Sequence, residues 1–253
     1  MNTPLKRHLW FLRKTPALGS LPPEALQQLA EAAELCERPR RITLYLAGDF
    51  AEHVYFLHGG RVHSLHVTNS TRTLSLGLHG PTDVFGECCL WTPAPREDMA
   101  VTMTAVVYSR VPRALLRLIL DEHRHVEQRL FEQALVRREG TLRRLCAALT
   151  CSVRARLAGQ LMELAENGHD TADGRELGFP LTQHELAALI GTTRETVSIE
   201  LGRLEASHLI SRRGRHIVLC DVPRLRIYAR DDPPLRQAAV RGPEMSGLSV
   251  AAP

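Results

Sequence analysis

Lysine is almost missing from this chain: Lys6 and Lys14 are the only two in 253 residues. Positive charge is carried by arginine, and the formal net charge is only +4. Whole-chain electrostatics therefore say little about a polyanionic partner. No apolar run approaches the roughly eighteen residues of a membrane span. The N-terminal stretch MNTPLKRHLWFLRKTP sets basic residues around a very short apolar patch and has no cleavage-type segment. These absences predict a cytoplasmic protein with no membrane partner. Six cysteines (36, 88, 89, 146, 151 and 220) in a chain this long do not read as a disulfide framework. No nucleophile with its base, no metal-ligand spacing and no phosphate loop of catalytic type occurs, which argues against an enzyme.

The stretch around which the chain is organised is Leu181 to Ile210, LTQHELAALIGTTRETVSIELGRLEASHLI. Thr182 and Glu185 match the T-x-x-E capping box that opens a helix, and Thr192 and Glu195 repeat the pattern ten residues on. Gly191 lies between them, where a residue without Cβ turns the chain most easily. Two short helices and a tight turn are the helix-turn-helix pattern. On the second helix, expected over Thr193 to Ala206, Val197, Leu201 and Leu204 share a face that must pack on Leu186, Leu189 and Ile190. Glu195, Ser198, Ile199 and Gly202 point the other way, flanked by Arg194 and Arg203. Such a face suits the major groove: arginine bonds a guanine edge or a phosphate, glutamate accepts from a cytosine amino group, and serine is tolerant. The plainer alternative is that Glu195 caps the helix and the arginines solvate it. Between Arg194 and Arg230 eight arginines face four acids, a local excess suited to phosphate contact.

GTTRETVSIELGRLEASHLI, continued by ISRRGRHIVL, resembles the C-terminal domain of the Crp/Fnr family of bacterial transcription regulators, and the resemblance extends upstream over most of the chain. It implies an α+β protein: an N-terminal β-roll like those that bind cyclic nucleotides, a long dimerisation helix and a C-terminal winged helix-turn-helix. It further implies a homodimer that binds a palindromic double-stranded DNA site and works with RNA polymerase. Members usually carry arginine after the V-S or V-G pair, where this chain has Ile199. An apolar side chain on that exposed face is expected to meet a thymine methyl or to relax base reading there. Strands on either side of Arg213-Gly214 form the wing, whose Arg212, Arg213, Arg215 and His216 are within reach of phosphates.

Upstream, Leu21-Pro22-Pro23-Glu24 starts a helix running to about Leu35. Short alternating strands follow at Arg41 to Leu46, Val54 to Leu57, Arg61 to Val67 and Thr73 to Leu78, with Gly59-Gly60 read as a hairpin turn and Asn69-Ser70 as another. In cyclic-nucleotide-binding relatives an F-G-E opens a short helix whose amides meet the phosphate, the glutamate takes the ribose and a later arginine holds the cyclic phosphate. By that resemblance Glu87 and Arg96 hold these places, and Thr141 matches a ligand-contacting hydroxyl from the dimer helix. Thr141 equally suits back-bonding to its own chain. The loop departs from the pattern: Arg96 is followed by Glu97 and Asp98, Pro93 and Pro95 intervene, and one arginine against two acids is a poor anion site. Cyclic AMP is therefore disfavoured as effector. Haem and iron–sulfur cofactors are disfavoured too, because no N-terminal cluster of thiolates accompanies Cys88-Cys89. The alternative reading is a cyclic-nucleotide- or haem/redox-sensing regulator whose output depends on an effector in the β-roll.

Phe131, Leu135, Arg138, Leu142, Leu145 and Leu149 recur at spacings of four, three, four, three and four, the a/d seam of a coiled coil. Arg138 intrudes on that seam, and Gly140 weakens the helix by up to about 1 kcal/mol against Ala. The expected organisation is an N-terminal arm over residues 1–20, a β-roll over 21–121, a dimer helix and hinge over 122–150, a winged helix-turn-helix over 151–230 and a disordered tail over 231–253. Within the output half, Arg154 to Glu166 reads as helix, His169 to Arg175 as a loop and Leu177 to Pro180 as a short strand.

Overall fold

The computed structural model describes residues 3–68 and 73–230. Two helices come first, α1 (Thr3–Lys14) and α2 (Pro23–Ala32). Eight strands follow: β1 (Glu34–Arg38), β2 (Thr43–Tyr45), β3 (His53–Gly59), β4 (Val62–Val67), β5 (Thr73–His79), β6 (Val84–Phe85), β7 (Met99–Thr102) and β8 (Val106–Pro112). Among the described residues they form two antiparallel four-stranded sheets, in the orders β1-β8-β3-β6 and β2-β7-β4-β5. Tyr45, Tyr55, Leu57, Val62, Phe85 and Tyr108 pack between the sheets.

Strand β3 explains the layering. Val54, Tyr55, Phe56 and Leu57 are all buried, so the strand is covered on both faces and reads as a continuous apolar run rather than an alternation. Tyr55 and Leu57 join the core between the sheets, whereas Val54 and Phe56 pack under the helices. Both edges of β3 are taken, by β8 and β6. The expected Gly59-Gly60 hairpin is therefore absent: the chain crosses there from one sheet to the other. Gly60 is needed for that crossing, with φ +81° and so close an approach that a Cβ would lie 2.1 Å from the Ala105 carbonyl oxygen. The expected turn at Asn69-Ser70 lies outside the described residues, as does the expected disordered tail.

Within the N-terminal arm, Thr3–Lys14 forms α1 and the chain then turns toward α2. The arm's Leu12, Ala17 and Leu18 are fully buried with α2 and the outer face of β3, and His8 bonds Ser109 of β8. After β8 come α3 (Arg113–Glu122) and the long α4 (Arg124–Thr150), 27 residues and about 40 Å at 1.5 Å per residue. Only Val126 and Leu130 of α4 are buried. Phe131, Leu135, Leu142, Leu145 and Leu149, the seam residues, are 41 to 78% exposed in the single chain. At Cys151 the backbone leaves the helix, and Ser152 caps α5 (Val153–Ala165) by accepting from the Ala155 amide.

The C-terminal half continues with β9 (His169–Thr171), β10 (Gly174–Glu176), α6 (Gln183–Ile190), α7 (Arg194–Ala206), β11 (Ile210–Arg213), β12 (His216–Leu219) and α8 (Val222–Arg230). Two expectations fail here. His169 to Arg175 is not a loop but contains the β9–β10 hairpin, which extends the wing sheet in the order β11-β12-β10-β9. Its residues are half-buried or exposed, so no alternation marks them. Leu177 to Pro180 is not a strand; Leu177 makes one bond to Ile217 and its side chain fills the core beneath α6 and α7.

The halves touch directly. Met103 and Leu78 of the β-roll pack into the C-terminal core, and Arg40 bonds both carboxylate oxygens of Glu185 at 2.8 and 2.9 Å.

Candidate nucleic-acid interface and effector pocket

Helix α6 starts on the expected capping box: the Thr182 hydroxyl accepts the Glu185 amide and the Glu185 carboxylate accepts the Thr182 amide. It stops at Gly191, whose φ of +66° is the left-handed region that glycine adopts freely. The expected second capping box at Thr192 and Glu195 does not form. The Thr192 amide closes the end of α6 on the Ala187 carbonyl, so the cap moves one residue along and Thr193 accepts the Thr196 amide. Glu195 is left exposed at the N-terminus of α7. Its own backbone amide, the Thr193 hydroxyl and the Arg194 charge hold its carboxyl below the usual range, so it is ionised and acceptor-only at neutral pH.

Val197, Leu201 and Leu204 of α7 are buried against α6 as their spacing requires. Arg194, Glu195, Ser198 and Ile199 are exposed together on the opposite face, with Ile199 57% accessible. Among the described residues no carboxylate lies within 4 Å of Arg194 or Arg215. The other arginines singled out in the sequence have partners: Arg203 pairs with Glu200 at 2.5 Å, Arg212 binds Glu205 through Nε and Nη2, and Arg213 pairs with Asp173. In the sequence Glu200 counts only as one of the four acids between Arg194 and Arg230 and is given no role. It is only 7% exposed and joins Arg203 to Arg154 of α5, which fixes the recognition helix to the domain behind it. Its position three residues before Arg203 was the available signal.

The second site is a cavity of about 500 Å³ between the β-roll and α4, around which Glu87, Arg96 and Thr141 all stand. Gly86 (φ +68°) turns the chain into a 3₁₀ helix over Glu87–Leu90, and a Cβ there would fall 2.6 Å from Arg96 Nη1. Arg96 is 8% exposed and committed inward. It donates to the Gly86 carbonyl at 2.6 Å and to the His53 carbonyl, and its guanidinium lies 4.5 Å from the centre of the Tyr45 ring. Glu87 is 5% exposed and ion-paired to Arg137 of α4. Arg137 was also missed, although it stands one helical turn before Thr141. The Thr141 hydroxyl lies 2.8 Å from the Leu76 carbonyl oxygen and 3.1 Å from that of Arg137, the back-bonding alternative. Asp98 accepts the Tyr45 hydroxyl at 3.0 Å.

His79 closes the cavity floor. It bonds Ser64 at 2.9 Å, and its Nδ1 is buried without a partner among the described residues. Burial pushes its pKa down to about 3, so the ring is neutral. Desolvation raises the thiol of the buried Cys89 and, together with the Glu87 carboxylate beside it, that of the surface-exposed Cys88, so neither is a ready thiolate. These residues do not fit a cyclic phosphate: the arginine is spent on carbonyls, the glutamate on Arg137, and the carboxylates of Glu97 and Asp98 line the same wall.

Residues 37–123 match the family model of the cyclic nucleotide-binding domain, and residues 155–228 match that of the Crp-like helix-turn-helix domain. The chain is 28% identical over 221 residues to the CRP-like cAMP-activated global transcriptional regulator of Mycobacterium tuberculosis, covering 87% of this chain and 99% of that one. It is 30% identical over 190 residues to the transcriptional regulator LdrP of Thermus thermophilus, covering 74% and 92%. A solved transcriptional regulator of the CRP family, also from Thermus thermophilus, superposes with a TM-score of 0.67 at 26% identity, over 77% of this chain and 96% of that one. With both domain models in order along one chain and relatives matched over nearly their whole length, the protein belongs to the Crp/Fnr family of transcription regulators.

Proposed function

We propose that two copies of the chain join in parallel along α4 and read a palindromic site with their two α7 helices. Arg194, Glu195, Ser198 and Ile199 read base edges, while Arg203, Arg212, Arg213 and Arg215 hold phosphates. The observation that carries this reading is the uncovered N-terminal face of α7, where Arg194 and Glu195 are exposed and held in no salt bridge among the described residues. The exposed apolar seam of α4 supports the dimer, because five large apolar side chains in a row on one helix need a partner surface. The dimer works in the cytoplasm, where it meets DNA and RNA polymerase, and it needs no cyclic nucleotide because Arg96 and Glu87 already have partners. One observation favours a second reading, in which an uncharged effector enters: the cavity beside the unpartnered His79 nitrogen.

Selection of DNA from a randomised library, with sedimentation of wild type and of a Leu142→Glu/Leu145→Glu variant, tests the proposal. Wild type should sediment as a dimer and enrich an inverted repeat. The variant should be monomeric and bind that repeat at least about a hundredfold more weakly, the advantage a linked second site supplies. A monomeric wild type, or enrichment of a single half-site, would reject it.

A further inference from the structure

A second cleft, of about 330 Å³, lies between the β-roll and the DNA-binding half, away from the recognition face. Its walls come from three parts of the chain: Arg61, Ser75 and Asp83 from the β-roll, Arg144 from α4, and Gln160 and Glu163 from α5. Four of these groups are charged, two of each sign, and none makes an ion pair within 4 Å among the described residues. Arg61 stacks on Phe179 of the other half, 4.5 Å from the ring centre. Arg144 gives one nitrogen to the Leu76 carbonyl and Thr141, but its Nε is buried without a partner, as is the Ser75 hydroxyl. Burial lowers the pKa of both arginines and raises that of Asp83, the sign of charges withdrawn from water without full compensation. Asp83 is held by the Gly80 amide at 2.7 Å, and Glu163 by Gln160 at 3.2 Å.

An isolated anion in this cleft would meet Asp83 and Glu163, and an isolated cation would meet Arg61 and Arg144. A molecule bearing both charges complements all four, and the buried Ser75 hydroxyl and Arg144 Nε offer further bonds to it. We propose that the interdomain cleft binds a small zwitterion, a free α-amino acid, with its carboxylate toward Arg61 and Arg144 and its ammonium toward Asp83 and Glu163. The ligand would touch both halves at once, so its binding would bias how the DNA-binding half sits on the β-roll.

The test uses the full chain without DNA, so its result is independent of how the protein reads its site. The proteinogenic amino acids are tried singly for a saturable rise in the unfolding midpoint, and any that raise it are titrated by calorimetry. At least one should bind with one site per protomer, and the corresponding amine lacking the carboxylate and acid lacking the ammonium should each bind at least tenfold more weakly. Arg61→Gln should lose at least tenfold in affinity, whereas Arg129→Gln, on an exposed face of α4, should lose none. If Arg61→Gln fails to fold, Glu163→Gln carries the test: this residue is exposed, and its loss should still weaken binding severalfold. The proposal is overturned if no amino acid binds, if the amine or acid binds as well as the parent, or if Glu163→Gln and any folded Arg61→Gln bind like wild type.

Discussion

The β-roll pocket and the recognition helix each set a glutamate in the first turn of a helix and bring an arginine into the same site, yet the chain treats them oppositely. In the pocket Arg96 is spent on two carbonyls and a tyrosine ring, and Glu87 is paired with Arg137. On α7, Arg194 and Glu195 stand exposed to solvent. A charged group that is buried as well as paired has little to offer a ligand, because binding would have to break what it already has with no water to replace it. An exposed one has most of its interaction left to give. The same residue types thus mean structure in one place and recognition in the other.

Acidification should separate the two regions most. Burial depresses the folded-state pKa of His58 and His63 to about 4 and of His79 to about 3, all in the β-roll. The unfolded chain, near 6.5, binds these protons first, so the stabilisation is complete above about pH 6.5 and is lost as pH falls toward the folded values. At pH 5 each histidine should cost roughly 2 kcal/mol relative to neutral pH, about 6 kcal/mol together. Denaturant titrations at pH 7.5 and 5.0 measure this; equal midpoints would mean the rings are not held neutral.

Next in size is the internal pairing of the pocket. Arg137→Gln leaves the Glu87 carboxylate buried and alone and should cost about 3 kcal/mol. Adding Glu87→Gln should restore most of it, because two neutral groups remain. If the single variant is as stable as wild type, the pair does not hold the pocket to α4. On the other side, Arg194→Ala should weaken binding to the selected DNA site by roughly 1–3 kcal/mol with no change in folding, measured by fluorescence anisotropy; unchanged affinity would remove Arg194 from the reading face. The smallest effect is expected from cyclic AMP. A true ligand at a hundred times its Kd adds roughly 2.7 kcal/mol and several degrees to the unfolding midpoint, and here the shift should be below about 1 °C. A clear rise would show that Arg96 and Glu87 can leave their partners.

Much of the output half was legible in order along the chain. Thr182, Glu185 and Gly191 mark a helix and its end through local backbone chemistry, and Val197, Leu201 and Leu204 through a period of 3.6. The cap at Thr193 was misread by one residue because the Thr192 amide is claimed by the preceding helix. The β9–β10 hairpin was not legible, since surface strands without a buried face have no alternation. Nor was the crossing at Gly59-Gly60: two glycines after an apolar strand signal a reversal, but not whether the next strand returns to the same sheet.

The helix-turn-helix, the faces of α7, the apolar seam of α4 and the family can be read along the chain, because all of these depend on neighbours within about a turn or on motif order. The pairing of Glu87 with Arg137, the bonds of Arg96 to carbonyls, and the cleft that Arg61 and Arg144 share with Asp83 and Glu163 emerge from folding alone. Whether a charge is free or spent depends on groups tens of residues away, such as Arg137 fifty residues after Glu87. Local spacing cannot carry that information, since the field at a charged group is set by whatever folding brings within a few ångströms of it.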